Sequence, residues 1–452
     1  MTTIPRSGEL AGVSISQETR LTEAETWPVP MDSCRNARFE MTRESSIPAP
    51  RAEPTLAAGK ASGSLSAIAT GALAALVLAA QATAEPRIPK SDSEVLGKVP
   101  PHSVARQAMV LGTAVAEVSS PKETALAVRQ LIDQSRTESN PRWLGRAQAI
   151  LNQQPQAQPL PTELRLLRGI IRQSLHDFPG ALEDLQAVLR EDPVNAEAWL
   201  NLSSVHLVRG NFDEARQAAL HFAPLSGKLA AAVAACAIGS VNGQLTECYH
   251  HLEKALTDPG PAPPAVRAWA LTLMAEMATR LGKPDAAEKW FLSALAVNPT
   301  DSYLVGAYAD FLLEEKRLQE ADNFLAKQRD SDSVLLRRTI TATRLDARSE
   351  PSRQLRNRME ARFLASRNRG ELIHHREEAR FALEVAGAPE RALELAVENW
   401  AIQKEPADIK ILLESAMAAG NTHVQKQARE WITSTGYKDT PLENRLRQST
   451  GP

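Results

Sequence analysis

Between Thr162 and Lys228 one pattern of apolar and small residues is written twice, at a spacing of 34 positions. Gly169, Ala181 and Pro193 mark the first copy, with Leu185 and Val188 between them; Trp199, Leu202, Gly210, Phe212 and Ala215 mark the second. Apolar residues that recur at three- and four-residue intervals predict helices, and a glycine or proline after each run predicts where a helix stops. Two helices in each unit of this length make a stacked hairpin array. Small residues such as Gly169 and Ala181 then sit where the two helices of one hairpin touch.

The pattern continues with decreasing clarity. A third unit, about 229–264, places Cys236 and Cys248 at the touching positions when its turn is aligned on Gly243. A fourth, Ala268–Asp301, carries Ala275, Gly282, Ala287 and Phe291; a fifth, Ser302–Leu335, has Lys316 where glycine is usual. The pattern fades over 336–370, where ten arginines meet only Asp346, Glu350 and Glu360, and returns with Ala379, Leu383, Gly387, Ala392, Ala396 and Trp400. A degenerate hairpin, Ala407–Thr435, follows. Upstream, Ala105–Val118, Lys122–Ser135 and the run from Pro141 to Leu151 predict helices that cap the array, whose end unit would otherwise expose an apolar face.

Landmarks in this order resemble the tetratricopeptide repeat. The stretches 164–185 (LRLLRGIIRQSLHDFPGALEDL) and 374–420 resemble a family of exported bacterial tetratricopeptide proteins, over roughly residues 102–437. The resemblance implies an all-α fold, a right-handed α-solenoid of antiparallel helix hairpins, behind a disordered N-terminal segment. It also implies export, gene neighbourhoods that include membrane proteins of the nickel-transporter-like type, and no catalytic residues. The expected organisation is a lead and signal segment (1–84), a linker (85–101), N-terminal capping helices (102–161), repeats (162–335), an arginine-rich helical connection (336–370), C-terminal repeats with a cap (371–437) and a tail (438–452).

The lead has its own logic. Residues 1–60 lack a helical period and include two internal methionines, Met31 and Met41. Arg43, Arg51 and Lys60 then precede an apolar run from Leu65 to Ala80, and Ala82-Thr83-Ala84 follows. A basic lead, a short apolar run and an A-x-A site predict a secretory signal cut after Ala84, hence a periplasmic or secreted chain. The alternative is an N-terminal membrane anchor, for which an apolar run short of about 20 residues is a poor fit.

Composition narrows the function classes. Seven basic and eight acidic side chains lie in residues 1–84, so 45 Lys and Arg face 46 Asp and Glu in the remainder. A nearly neutral domain outside the cytoplasm is a poor nucleic-acid candidate, and no nucleic-acid partner is expected. No G-x-S-x-G elbow, phosphate loop or zinc-protease motif is present. The chain reads as a non-enzyme with no cofactor and no evident small-molecule substrate, whose partner is a protein or peptide at a membrane. A second reading is an accessory to metal or solute uptake, with His250-His251 and His374-His375 delivering an ion; their spacing supplies no metal set.

In tetratricopeptide arrays the first helix of each hairpin lines a concave groove, so the resemblance implies a peptide-binding face. Read onto this chain, it includes Leu166, Ile170, Leu200, Ser204, Leu207, Trp269, Glu276 and Tyr303, with Asp310 and Glu314 beyond them. Lys and Asn are absent from the positions where relatives clamp acidic tails, so an apolar groove with a few carboxylates is expected. The same leucines would also serve as packing between repeats. Arg353, Arg356, Arg358 and Arg362 form a candidate surface for an acidic partner, or a solvated helix face. Cys236 and Cys248, the only cysteines after residue 84, are disulfide candidates in an oxidising compartment, or two buried thiols.

Overall fold

The computed structural model describes residues 120–138, 140–154, 159–368 and 375–449. The signal segment, its cut after Ala84, the helix expected over Ala105–Val118, and Cys34, Arg369 and His374 lie outside the described residues.

All regular structure among the described residues is helical, in nineteen α-helices and one short 3-10 turn. Eighteen pair in chain order as hairpins: α1 (Pro121–Glu138) with α2 (Arg142–Asn152), α3 (Thr162–Ser174) with α4 (Phe178–Glu191), and α5 (Ala196–Val208) with α6 (Phe212–Phe222). Then come α7 (Lys228–Gly239) with α8 (Leu245–Thr257), α9 (Pro264–Arg280) with α10 (Pro284–Val297), and α11 (Ser302–Glu314) with α12 (Leu318–Leu325). The last pairs are α13 (Asp332–Asp346) with α14 (Glu350–Asn368), α15 (His375–Glu384) with α16 (Pro389–Ile402), and α17 (Pro406–Ala418) with α18 (Thr422–Thr435); α19 (Thr440–Ser449) closes the chain. The odd-numbered helices also touch one another in succession, which makes the array an α-solenoid.

Small residues set the hairpin spacing, as expected from their periodicity. Gly169 faces Asp184 and Leu185 so closely that a Cβ there would lie 3.3 Å from each. In the next hairpin the Ser203 hydroxyl donates to the Ala215 carbonyl at 2.9 Å, and Ala275, Ala287, Ala309 and Ala321 are fully buried at the equivalent crossings. Asp177, Asn195, Asp301, Ser331 and Asn421 cap their helices by accepting a backbone N–H three residues on. The hairpin turns use a left-handed residue: Gly210, Gly243, Gly282, Gly387 and Gly420, but His176 and Lys316 in the first and fifth repeats.

Two stretches differ from the sequence expectation. The arginine-rich connection is part of a full hairpin, α13/α14, whose inner positions are Thr339 (fully buried) and Ser352. Polar residues at those crossings hid the repeat, because Thr339 spends its hydroxyl on the Leu335 carbonyl in its own helix at 2.7 Å. The tail contains α19, docked through Leu442 and Leu446, one helical turn apart.

The C-terminal helices turn back across the edge formed by the hairpin turns of the middle repeats. The Lys404 N–H donates to the Val208 carbonyl at 2.7 Å, and a Cβ on Gly210 would meet the Lys404 side chain at 2.9 Å. Phe212 packs on Trp431 with ring centroids 6.4 Å apart. Gly436 lies against Gly243, and Thr440 against Gly282. One apolar cluster accordingly joins Val241, Leu207 and Phe212 to Leu395, Ile409, Leu412 and Tyr437. Glycine at these turns permits the positive φ and also leaves room for the returning chain.

Candidate functional site

The odd-numbered helices form the inner wall of the array, and the returning helices reach it at one end. Asp310 on α11 is held from two sides. Arg337 on α13 donates to it through Nε at 3.0 Å and Nη2 at 2.6 Å, and Arg380 on α15 through Nη1 at 2.9 Å. Gly306 makes room for this, since Arg337 Nε also donates to its carbonyl at 3.0 Å and a Cβ there would lie 3.0 Å from the guanidinium carbon. Burial pushes the Asp310 carboxyl upward, but the two guanidiniums outweigh it and hold the group far below the usual carboxylate range. Glu384 is bound likewise by Arg344 and Arg380, and Glu314 pairs with Lys410 of α17.

One hairpin earlier the wall is different. Glu276 on α9 accepts a hydrogen bond from the Tyr303 hydroxyl at 2.5 Å, and among the described residues no cation is bonded to it. Arg280, one turn along, gives its guanidinium to the Ser240 carbonyl at 2.7 Å and hydroxyl at 3.0 Å. Burial raises the Glu276 carboxyl above its ordinary value, opposed by the Tyr303 bond and by Arg280, and Glu405 adds like charge. Tyr303 is 62% exposed, so its ring faces solvent while its hydroxyl is held by Glu276. On α15, Arg376 pairs with Glu377, Glu405 and Asp408 at 3.3, 2.8 and 3.3 Å. Asp408, fully buried, is pushed up to about 6, mainly by burial.

The expected groove residues divide along the wall. Leu166 and Ile170 are buried at 4% and 3% exposure in a cluster with Val128, Leu131 and Ile132 of α1, so they serve as packing for the capping hairpin. Leu207 packs against the returning C-terminal cluster. Leu200 and Ser204 stay half-buried, the Ser204 hydroxyl bonding the Leu200 carbonyl at 2.9 Å. Trp269 is half-buried against the central cluster, two helical turns before Glu276 and on the same helix face. Arg376 and Arg380, which complete the wall with Arg337, hold in α15 the register that Gly306 and Asp310 hold in α11 and were legible by carrying it forward; Arg337 lies off that register in α13.

The outer arginines are engaged within the chain. Arg353 pairs with Glu350 at 2.6 Å, Arg356 bonds the Val385 carbonyl, and Arg358 and Arg362 reach Asp330 at 3.0 and 2.9 Å, Arg362 also binding Asp332. Counting acids only within 336–370 misses Asp330 and Asp332, which stand just before it. Cys236 and Cys248 meet at the crossing of α7 and α8 as expected, but as free thiols: the Cys236 thiol donates to the Cys248 carbonyl at 3.6 Å. His250 and His375 lie near Glu253 and Glu398, and among the described residues no group of three His, Cys, Asp or Glu could hold a metal ion. No described helix is long and apolar enough to cross a membrane.

The sequence pattern defining the tetratricopeptide repeat matches residues 166–228, spanning α3 to α6. These are tetratricopeptide repeats. Solved structures that align with the tetratricopeptide array include the type IV pilus biogenesis factor PilW (18% identity, covering 46% of this chain and 95% of that one, TM-score 0.36) and a tetratricopeptide repeat protein from Parabacteroides merdae (13%, 66% and 99%, TM-score 0.34). A human IFIT1 dimer with m7Gppp-AAAA aligns at 14% identity over 68% of this chain and 79% of that one, TM-score 0.38. Among proteins of curated function none matches the sequence. Tetratricopeptide repeats form a protein-interaction scaffold, and the inner wall is the face that such a scaffold presents.

Proposed function

We propose that this chain is a non-enzymatic scaffold of the bacterial cell envelope that holds a protein or peptide partner against the part of its inner wall formed by Leu200, Ser204, Trp269, Glu276 and Tyr303. The observation that carries the reading is the contrast within that wall. Leu166, Ile170, Leu207 and Asp310 are spent on the chain's own contacts, whereas Tyr303 stands 62% exposed beside Glu276. An exposed tyrosine anchored by its hydroxyl offers contact area at little cost in side-chain freedom.

Two measurements test the proposal. Partner recovery from an envelope fraction by the wild-type chain should fall at least tenfold for Leu200→Asp and for Tyr303→Ala, with circular dichroism unchanged. Equal recovery by both variants sinks the groove. Export is read from the N-terminus of the mature protein: sequencing that begins at Glu85 supports it, and a chain that keeps residues 1–84 in the cytoplasm overturns it.

A further inference from the structure

We infer that α1 is an internal occupant of the groove, holding the seat of an amphipathic helix that a partner supplies, so that binding over the first repeats requires α1 to leave. The inference rests on the groove reading above and extends that groove from Leu200 back to Leu166 and Ile170. Three observations carry it. Leu166 and Ile170 hold the register positions that Leu200 and Ser204 hold one repeat later. They are nevertheless buried in one cluster with Ala125, Val128, Leu131 and Ile132 of α1, while Leu200 and Ser204 stay half-buried. Arg129 of α1 reaches past α3 and donates to both carboxylate oxygens of Glu197 on α5, at 3.0 and 3.1 Å, and the charge of Glu163, one repeat before Glu197, adds attraction. Finally, α1 touches α11, and Glu138 in its last turn lies 4.0 Å from Arg329, between α12 and α13.

A hairpin that only caps an array touches the hairpin next to it. Here α1 meets the groove register of the second and third hairpins and reaches the sixth. Its apolar residues share one face, and Glu123, Gln130, Asp133 and Arg136 are exposed, the pattern of a helix laid in a groove. Past α3 its polar ties are ion pairs between exposed side chains, Arg129 at 40% with Glu197 at 41%, and Arg329 at 64% with Glu138. Water and salt screen such pairs, so a helix of the same pattern can compete. The partner that fits carries apolar residues at the spacing of Ala125, Val128 and Ile132 and a basic residue where Arg129 meets Glu197. A competitor meets only the chains whose seat is empty, so α1 lowers its apparent affinity by that fraction.

The test uses the full chain and a fluorescein-labelled, end-blocked peptide of residues 120–138, with binding read by fluorescence polarisation. Val128→Asp unseats the chain's own α1, and that variant should bind the peptide at least tenfold more tightly than the wild type, whose seat is filled from within. Arg129→Glu, which places no charge in the core, should bind it about threefold more tightly than the wild type. Adding Ile170→Asp to Val128→Asp should cost at least tenfold. Adding Glu197→Arg instead should weaken the natural peptide and restore one that carries Arg129→Glu. If neither Val128→Asp nor Arg129→Glu gains affinity over the wild type, the internal occupant is overturned, and a loss of partner recovery in Leu200→Asp would still leave the groove standing. Tight binding that neither Ile170→Asp nor Glu197→Arg alters also overturns the seat. A wild-type dimer on size exclusion that the peptide splits would give the seat to a second copy and overturn the arrangement within one chain.

Discussion

At Asp310 the inner wall presents a carboxylate to guanidiniums from α13 and α15; at Glu276, one hairpin earlier, it presents a carboxylate to a phenol and to further acids. Both groups sit on the same face of successive odd-numbered helices, and burial opposes the charge of each. What separates them is supply. The α15/α16 hairpin brings Arg380 to the first, while its Arg376, near the second, is bonded to Glu405 and Asp408. In a solenoid the end that turns back decides which stretch of the wall becomes structure and which stays available.

Substitutions sharpen that difference by sign. Asp310→Asn leaves Arg337 and Arg380 facing each other and should destabilise by about 2–4 kcal/mol, measured by urea unfolding; a loss under about 0.5 kcal/mol would mean the pairs are solvent-screened. Gly210→Val imposes a β-branched side chain on a left-handed turn where Lys404 is already 2.9 Å from a Cβ. It should cost about 2–3 kcal/mol and loosen the returning helices, seen as faster hydrogen exchange at the Lys404 amide. Glu276→Gln should instead stabilise, by up to about 1 kcal/mol, since it removes a half-buried charge to which no described cation is bonded.

Acid separates the two carboxylates further. The Glu276 value is raised on folding, so its charge detracts from stability at neutral pH, and the wild-type deficit against Glu276→Gln should vanish as pH falls to the ordinary value of about 4.3. The Asp310 value is lowered on folding, so its contribution is whole above the ordinary carboxylate value and is lost only as pH falls toward the depressed one. The deficit of Asp310→Asn should therefore persist at pH values where that of Glu276 has closed. The smallest effect concerns the fifth repeat: Lys316 holds φ 59°, and Lys316→Gly should raise stability by about 0.5–1 kcal/mol in thermal melts.

Much of this architecture is written locally. Gly169, Ala181, Ala275 and Ala287 mark hairpin crossings, and the glycines at 210, 243 and 282 mark turns, because each obeys a rule that acts within one repeat. Thr339 and Ser352 break that rule at the crossing of α13 and α14, so the sixth repeat was read as a connection. The assignment of groove residues depended on contacts that no local rule contains. Leu166 and Ile170 are covered by α1, and Leu207 by helices about 200 residues further on, so their position in the register was legible while their exposure was not. Trp269 and Glu276 lie between the turns at Gly243 and Gly282 that the returning chain covers, and Tyr303 keeps 62% exposure.

Docking of Lys404, Trp431, Gly436 and Thr440 along the turns changes what kind of object the array is. A repeat protein whose units touch only their neighbours can be shortened from either end and stretches like a coil under load. Here the far end braces the middle, through pairs such as Phe212 with Trp431, so trimming the last hairpin would unfasten repeats that are remote from it in the chain. Such a clasp must wait for the whole polypeptide before it can lock, which makes assembly slower and the finished array stiffer than a simple stack would be.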